Sequence, residues 1–332
     1  MATPCPFDSE LERLLAAAPP EFTATLTPQA LPFLATIYSA TPKQTSAEFI
    51  GGRAIQAVNY SIPGYKGAEI DITILSRKNR GPVTKAPAFY FIHGGGMIMG
   101  HPLICAEFVL PYIEQFDGVF ATVDYRLAPK HPDPVPVEDC YAGLVWLSTQ
   151  GEKLGFDPKR IMIMGSSAGG GLAAGVSLLA RDRSGPHIAW QLLAAPMIDD
   201  RNVTLSSRQY EGHGVWNAAS NQTGWGAYLG DRVGGPDVSI YAAPARAVDS
   251  ELGLANLPPT YLDVGSAEVF RDETVAFANG IWAAGGSADL HVWAGAFHGF
   301  DMPIWETARL TQDALAARHN WVRRMVEWDP VS

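Results

Sequence analysis

Residues 160–175 read RIMIMGSSAGGGLAAG, and this stretch decides the fold because it runs from a buried strand through a tight turn directly into a helix. The first five residues form a short apolar run, and a helical pattern follows over 168–182. A serine on such a turn projects its Oγ clear of the backbone. Ser167 has glycine two residues before and two residues after it, which lets strand and helix approach closely. Ser166 lacks that spacing, so Ser167 is the candidate nucleophile.

Strands and helices alternate on both sides of this turn. Apolar runs rich in β-branched and aromatic residues predict strands at 53–60, 69–76, 87–92, 118–123, 160–164, 188–194, 259–264 and 289–294. Further helical patterns occur at 136–150, 272–284 and 305–326. Nearly continuous apolar strands separated by helices are typical of a parallel sheet covered on both faces. The sequence therefore predicts an α/β protein with a mostly parallel central sheet flanked by helices.

Two segments interrupt this alternation. Residues 1–50 carry helical patterns but no strand, and residues 198–250 join two strands through a connection far longer than the usual ~2–6 residues. The second segment combines glycines and amide side chains with aromatic residues that include Tyr210, Trp216, Trp225 and Tyr228. This composition favours an amphipathic lid, and a plain surface excursion is the alternative.

Composition and charge limit the classes of partner. The chain has 332 residues and a net charge of −10, with no cluster of basic residues. This balance argues against binding to nucleic acid or to an anionic membrane. The chain has three cysteines, a beginning without the pattern of a signal peptide, and no apolar run of the ~18–20 residues that span a bilayer. These features predict a cytoplasmic protein.

A glycine-rich turn follows an earlier strand. Residues 89–100 read FYFIHGGGMIMG, so this strand ends at His93 and opens into three glycines. The tetrahedral intermediate of acyl transfer carries an oxyanion that needs backbone N–H donors about 3 Å away. Glycines let the main chain approach that closely, and the N–H of Ala168 would be a further donor. A flexible turn is the structural alternative, and His93 is expected to brace the loop.

A serine nucleophile needs an acid and a base later in the chain. The candidate base, His298, follows the last predicted strand on a glycine-flanked loop. The acid should lie on the loop after the strand at 259–264, where Glu268, Asp272 and Glu273 are the candidates. Glu268 is the one on the loop itself, whereas the other two begin a helix and favourably meet its dipole. The remaining histidines lack metal-ligand spacing, so we expect no metal.

Five motifs together resemble those of the hormone-sensitive-lipase group of α/β-hydrolase carboxylesterases, the bacterial family IV-like esterases. They are HGGG at 93–96, DYRLAPKHPDPVPVEDCYAGLVWL at 124–147, GSSAGG at 165–170, EVFRDE at 268–273 and HGF at 298–300. The resemblance runs from about residue 50 to the C-terminus. It implies an α/β-hydrolase fold with a catalytic domain formed by 51–197 and 251–332. Residues 1–50 and 198–250 would form a helical cap.

The resemblance also assigns roles to residues. It implies a triad of Ser167, Glu268 and His298, with oxyanion donors at Gly95, Gly96 and Ala168. Ser166 and Glu268 depart from the pattern, because the family usually has aspartate at both positions. In the second motif, Asp124 and Arg126 are expected to form a structural ion pair.

These residues predict a serine carboxylesterase that hydrolyses small to medium apolar or aromatic esters through an acyl-enzyme, without a metal or organic cofactor. A lactonase or amidase with the same triad is the alternative among enzymes. A small-molecule receptor without catalysis, as in plant hormone receptors of similar sequence, is the alternative from another class. The candidate substrate pocket contains Met97, Trp216 and Phe297. The resemblance also implies a homodimer, as in some members of the family.

Overall fold

One eight-stranded sheet organises the residues that the computed structural model describes, which are 2–33, 36, 43–80 and 85–328. The strands are β1 (Ile55–Pro63), β2 (Glu69–Arg77), β3 (Ala88–Ile92), β4 (Val119–Val123), β5 (Ile161–Ser166), β6 (Trp190–Ala194), β7 (Thr260–Gly265) and β8 (Ala288–Trp293). Their order across the sheet is β1-β2-β4-β3-β5-β6-β7-β8. All eight predicted strands are confirmed, with ends that differ by up to three residues.

Helices connect and cover these strands. They are α1 (Ser9–Ala17), α2 (Ser46–Ile50), α3 (Leu110–Phe116), α4 (Val135–Ser148), α5 (Gly151–Leu154), α6 (Ala168–Asp182), α7 (Leu205–Gln209), α8 (Ala218–Leu229), α9 (Arg271–Ala283) and α10 (Arg309–Glu327). The last helix begins four residues later than predicted, because a short 3₁₀ turn occupies Pro303–Trp305. Within the described ranges, no helix is both long and apolar enough to cross a bilayer.

The sheet is parallel from β4 through β8 and antiparallel at one edge. β1 pairs with β2, and β2 pairs with β4, in antiparallel register. Only five residues join β1 to β2, which is too short for the crossover that a parallel pair needs. β3 and β4 are buried at every position, as expected for strands covered on both faces. The α/β-hydrolase fold predicted from the sequence is thus present.

The expected ion pair between Asp124 and Arg126 is wrong. Arg126 instead makes a bidentate pair with Asp139 of α4, with Nε–Oδ2 and Nη2–Oδ1 distances of 2.8 Å. Asp139 is completely buried and also accepts the backbone N–H of Tyr65, so it needs this cation. Asp124 pairs with Lys43 at 3.1 Å on a more exposed surface. Adjacency in the motif did not reveal these partners, because Asp139 lies 13 residues further along it on α4 and Lys43 lies outside the motif.

The two segments predicted to form a cap contact each other. The second segment contains α7 and α8, whose side chains bind the backbone and side chains of the first. Among the hydrogen bonds between them are Leu26 N–H to Ser220 Oγ at 2.9 Å, Asn217 Nδ2 to Thr25 Oγ1 at 2.7 Å, and Thr223 Oγ1 to the Leu26 carbonyl at 2.9 Å. Of the first segment, residues 1, 34, 35 and 37–42 lie outside the described residues.

Candidate active site

Ser167 lies on the turn between β5 and α6, where its backbone has a φ of 57° and a ψ of −123°. A positive φ is rare for a residue with a Cβ and marks local strain at this turn. The turn is tight: a Cβ at Gly165 would collide with the carbonyl of Gly169, and one at Gly169 would collide with the carbonyl of Ile92. Glycine is therefore required on both sides of the serine for strand and helix to meet.

The structure brings Ser167, His298 and Glu268 together, although 131 residues separate the serine from the histidine. His298 Nε2 lies 2.9 Å from Ser167 Oγ, and His298 Nδ1 lies 2.6 Å from Glu268 Oε2. His298 is on the loop after β8, and Glu268 is on the loop after β7. Both loop positions agree with those predicted from the sequence.

The two hydrogen bonds of His298 indicate which tautomer of the imidazole suits this arrangement. A carboxylate accepts hydrogen bonds, so in this tautomer Nδ1 carries the hydrogen and donates a hydrogen bond to Glu268. Nε2 is then free to accept the hydroxyl proton of Ser167. Glu268 is 1% exposed, and its other oxygen, Oε1, accepts the N–H of Gly265 at 2.9 Å. The edge of the Phe270 ring packs against the imidazole at 4.9 Å between centroids. These contacts fix the ring in a position to act as a base toward Ser167.

The glycine turn after β3 runs beside this serine. A Cβ at Gly94 would lie 2.9 Å from the carbonyl oxygen of Ser166 and 3.3 Å from Cβ of Ser167. Gly95 and Gly96 have φ values of 112° and 61°. The Gly95 carbonyl accepts the N–H groups of Ile98 and Met99 at 3.1 and 3.0 Å, which closes the loop into a turn. Among the described residues, the N–H groups of Gly95, Gly96 and Ala168 have no hydrogen-bond acceptor, as an oxyanion site requires.

The other two candidate acids serve elsewhere. Asp272 pairs with Arg271 at 2.8 Å and accepts the N–H of Ser206 at 2.8 Å. Glu273 is 2% exposed, and its Oε1 accepts the N–H groups of Ile198 and Asp199 at 2.9 and 3.2 Å. Burial raises the pKa of Glu273 well above its ordinary value. Neither carboxylate contacts His298, so Glu268 is the one placed to orient it.

His93 lies inside the protein, where it braces the glycine turn rather than facing the serine. Its ring stacks on Tyr125 at 4.2 Å between centroids, and its Nδ1 lies 2.8 Å from the carbonyl oxygen of Gly94. Complete burial lowers its pKa to about 3, so the imidazole is neutral at physiological pH.

An apolar cavity of about 500 Å³ opens onto the serine, the histidine and the glycine turn. It is lined by Glu21, Phe22, Ala24, Thr25, Leu26, Ala30, Phe33, Gly94, Gly95, Gly96, Met99, Ile104, Cys105, Phe108, Ser166, Ser167, Val215, Trp216, Ser220, His298, Gly299, Asp301, Met302 and Arg318. A cavity of this size suits a small organic ligand.

Two of the three predicted pocket residues are not on the cavity wall. Met97 is completely buried in the main core. Phe297 is also completely buried and packs edge-on against Phe7 and Trp305. Trp216 does line the cavity, and so does Met99, two residues after Met97. Tyr210, Trp225 and Tyr228, from the second of the two interrupting segments, are buried in the core rather than exposed to the cavity.

A charged cluster under the cavity escaped the sequence analysis. Arg318 of α10 makes a bidentate pair with Asp263 of β7, with Nε–Oδ2 at 2.7 Å and Nη2–Oδ1 at 2.9 Å. Its Nη1 also contacts Asp301, three residues after His298, at 2.5 Å. Burial acts to raise the pKa of Asp301, but the Arg318 guanidinium and its hydrogen bond hold that pKa below the ordinary value. The cluster ties the histidine loop to the sheet and the last helix.

Within the part of the chain that the structure describes, no group of three histidine, cysteine or acidic side chains could hold a metal ion. The three cysteines, Cys5, Cys105 and Cys140, are all free thiols. Burial raises the pKa of Cys105 to about 12, so this cavity-lining thiol stays protonated and a poor nucleophile at neutral pH. Ser167 is thus the candidate nucleophile, which the cavity presents next to an imidazole.

Comparison with known proteins places the chain in a family. The family model described as an alpha/beta hydrolase fold matches residues 89–302. Esterase LipI of Mycobacterium tuberculosis is 29% identical over 239 residues, which are 65% of this chain and 66% of that protein. Carboxylesterase NlhH of the same species is 30% identical over 236 residues, which are 70% of this chain and 72% of that protein. The matched region thus spans about two thirds of these relatives.

Solved structures match over nearly the whole chain. A bacterial heroin esterase is 34% identical with a TM-score of 0.82, covering 96% of this chain and 98% of that one. Esterase LipW from Mycobacterium marinum is 27% identical with a TM-score of 0.82, covering 98% of each chain. The chain belongs to the matched α/β-hydrolase family, which is of the hormone-sensitive-lipase type. Its class is that of the carboxylic ester hydrolases.

Proposed function

We propose that this protein hydrolyses small to medium apolar or aromatic carboxylic esters through an acyl-enzyme intermediate on Ser167. The observation that carries the proposal is the hydrogen-bonded series from Glu268 through His298 to Ser167, which ends in an apolar cavity. A serine hydroxyl is a weak nucleophile at its own pKa, and a bonded, oriented imidazole activates it.

The chemistry follows from the positions of the atoms. His298 Nε2 takes the proton of Ser167 Oγ as that oxygen attacks the ester carbonyl, and Glu268 stabilises the resulting imidazolium. The N–H groups of Gly95, Gly96 and Ala168 stabilise the oxyanion, each donor being typically worth a few kcal/mol. Collapse releases the alcohol, which receives the proton from His298. Water then attacks the acyl-enzyme with the same base, which releases the acid and restores the serine.

Residues 1–50 and 198–250 form the cap of this active site in the proposal, and 51–197 with 251–332 form the catalytic body. Both cap segments contribute to the cavity wall, the first through Phe22 and Leu26 and the second through Trp216 and Ser220. Their mutual hydrogen bonds support one cover made from two parts of the chain. Cap and body both contribute apolar side chains to the cavity, and this lining favours apolar esters.

Substitution of the nucleophile tests the proposal. Ser167→Ala removes the attacking oxygen, so we expect hydrolysis of p-nitrophenyl esters to fall by at least about 10³-fold, with an unchanged melting temperature. Covalent labelling by a fluorophosphonate should disappear together with the hydrolytic activity. Ser148→Ala, at a partly exposed serine whose hydroxyl donates to the Val145 carbonyl, is the control and should retain both hydrolysis and labelling. Turnover that survives in Ser167→Ala would refute the proposal.

A panel of substrates tests the reaction class, and separate measurements test the oligomeric state and the location of the protein. Comparing an open ester with a lactone and an anilide of similar size shows which bond is cleaved fastest. We expect the open ester to lead over the anilide, because an alkoxide leaves the tetrahedral intermediate more readily than an unprotonated amine, and a faster lactone would favour the alternative reaction. The homodimer and the cytoplasmic location remain predictions, for which sedimentation and cell fractionation are the measurements.

A further inference from the structure

We propose that Trp216 is a specificity-determining residue, whose indole limits the size of the acyl group that Ser167 accepts. This inference rests on the proposed esterase function and adds the position of the acyl-binding side. Trp216 comes from the segment between β6 and β7, yet it lines the same cavity as the catalytic serine and histidine. Its position next to the glycine turn is what gives it this role.

The ring contacts the backbone of the glycine turn. A Cβ at Gly96 would lie 2.6 Å from Cη2 and 3.1 Å from Cζ2 of Trp216. On the other side, a Cβ at Gly224 of α8 would lie 3.4 Å from Cζ2. Two glycines therefore make room for the benzo edge of the indole, and the ring is held between cap and body. A wall packed in this way cannot withdraw to admit a larger substituent.

A series of hydrogen-bonded amide side chains fixes the plane of the Trp216 indole. Trp216 Nε1 donates to Asn221 Oδ1 at 3.3 Å, and Asn221 Nδ2 donates to Asn202 Oδ1 at 3.1 Å. Asn202 Nδ2 in turn donates to the carbonyl of Ala218 at 3.0 Å. Asn221 is completely buried, so breaking this series would leave polar groups without partners. The ring thus keeps one orientation toward the cavity.

The geometry of the intermediate assigns this wall to the acyl side. The leaving oxygen must face His298 Nε2, which protonates it, and the oxyanion must face the glycine turn. The sheet order places the turn after β3 on one side of β5 and the histidine loop after β8 on the other. Trp216 contacts Gly96 and therefore stands on the side away from His298. The substituent that points away from His298 is the acyl group.

Two substrate series test the inference. In Trp216→Ala we expect the ratio of kcat/KM for p-nitrophenyl octanoate to that for p-nitrophenyl acetate to rise at least about tenfold. Trp216→Phe, which keeps a smaller ring, should give an intermediate rise. The ratio between benzyl acetate and ethyl acetate, which varies only the alcohol, should change less than about threefold. Trp282→Ala removes an exposed tryptophan on α9 and should leave both ratios unchanged.

Three results would overturn the role of Trp216: an unchanged acyl ratio, a shift confined to the alcohol ratio, or equal loss of all ester turnover with an unchanged melting temperature. These outcomes are separate from failure of the proposed function. If Ser167→Ala is inactive while Trp216→Ala shows no change in acyl ratio, only the inference fails. If Ser167→Ala keeps its activity, the proposed function itself fails.

Discussion

At the scale of single residues, Glu268 shows how a longer side chain fills a position where the family usually has aspartate. Its Oε2 reaches His298 at 2.6 Å while its Oε1 binds the N–H of Gly265. The backbone donor holds one oxygen and so aims the other at the imidazole. The extra methylene is accommodated by a buried loop, since the side chain is 1% exposed.

We expect Glu268→Gln to lower kcat by about 10²–10⁴-fold, because the amide can donate to Nδ1 and so favours the tautomer whose Nε2 cannot accept the serine proton. Steady-state hydrolysis of p-nitrophenyl acetate is the measurement. Asp272→Asn is the matched control. Asp272 bonds Arg271 and the Ser206 N–H instead of the histidine, so its variant should stay within about threefold of the wild type. A larger loss in Asp272→Asn than in Glu268→Gln would contradict the assignment of the acid.

At the scale of structural elements, the turn between β5 and α6 depends on close backbone contact. The glycines that flank Ser167 are required by sterics, and Gly169 faces the carbonyl of Ile92 at the end of β3. The same turn therefore positions both the nucleophile and the strand that leads into the glycine turn. Gly226, on the exposed face of α8, lacks such contacts, because nothing lies within 4 Å of the position that a Cβ would take there.

We expect Gly169→Ala to lower the free energy of unfolding by about 3 kcal/mol or more, because the added Cβ meets backbone that cannot move aside. Gly226→Ala should instead raise it by about 0.5–1 kcal/mol, since nothing lies within 4 Å of the new Cβ and alanine suits a helix interior better. Urea denaturation followed by circular dichroism measures both values. Similar changes in the free energy of unfolding for the two variants would show that the close contact at the turn is not what requires glycine.

At the scale of the whole molecule, Arg318 joins elements that are far apart in the chain. It pairs with Asp263 on β7 and with Asp301 on the loop that carries His298. The side chains of Arg318 and Asp263 are 3% and 1% exposed, so the pair is shielded from solvent. Interactions of this kind are costly to break from one side, because the remaining charges stay buried.

We expect Arg318→Met to destabilise the protein by about 3–5 kcal/mol, since it leaves two carboxylates in the interior without a cation. Equilibrium unfolding in urea at neutral pH is the measurement. Arg324→Met removes a similar side chain from the same helix, but its pair with Asp289 is solvent-exposed. That variant should cost about 0–1 kcal/mol. Equal losses of unfolding free energy in the two variants would mean that the buried cluster stabilises the protein no more than a surface ion pair does.

The parts of the fold that could be predicted from sequence are those fixed by short-range rules. The eight strands, the helix after Ser167 and the loop positions of Glu268 and His298 follow from periodicity and from glycine spacing. The antiparallel edge was not predicted, because strand direction depends on a five-residue connection whose effect appears only in the paired sheet. The partner of Arg126 was also missed, because Asp139 approaches it from another element.

By itself, the sequence determined the strand–turn–helix that carries Ser167, the glycine turn beside it and the identity of the candidate base. Only the tertiary structure decided which acid reaches His298, that Met97 and Phe297 lie in the core, and that Trp216 abuts Gly96. The physical reason is one of range. Backbone sterics and apolar periodicity act over a few neighbouring residues, whereas the environment of a side chain is set by the elements that packing brings against it.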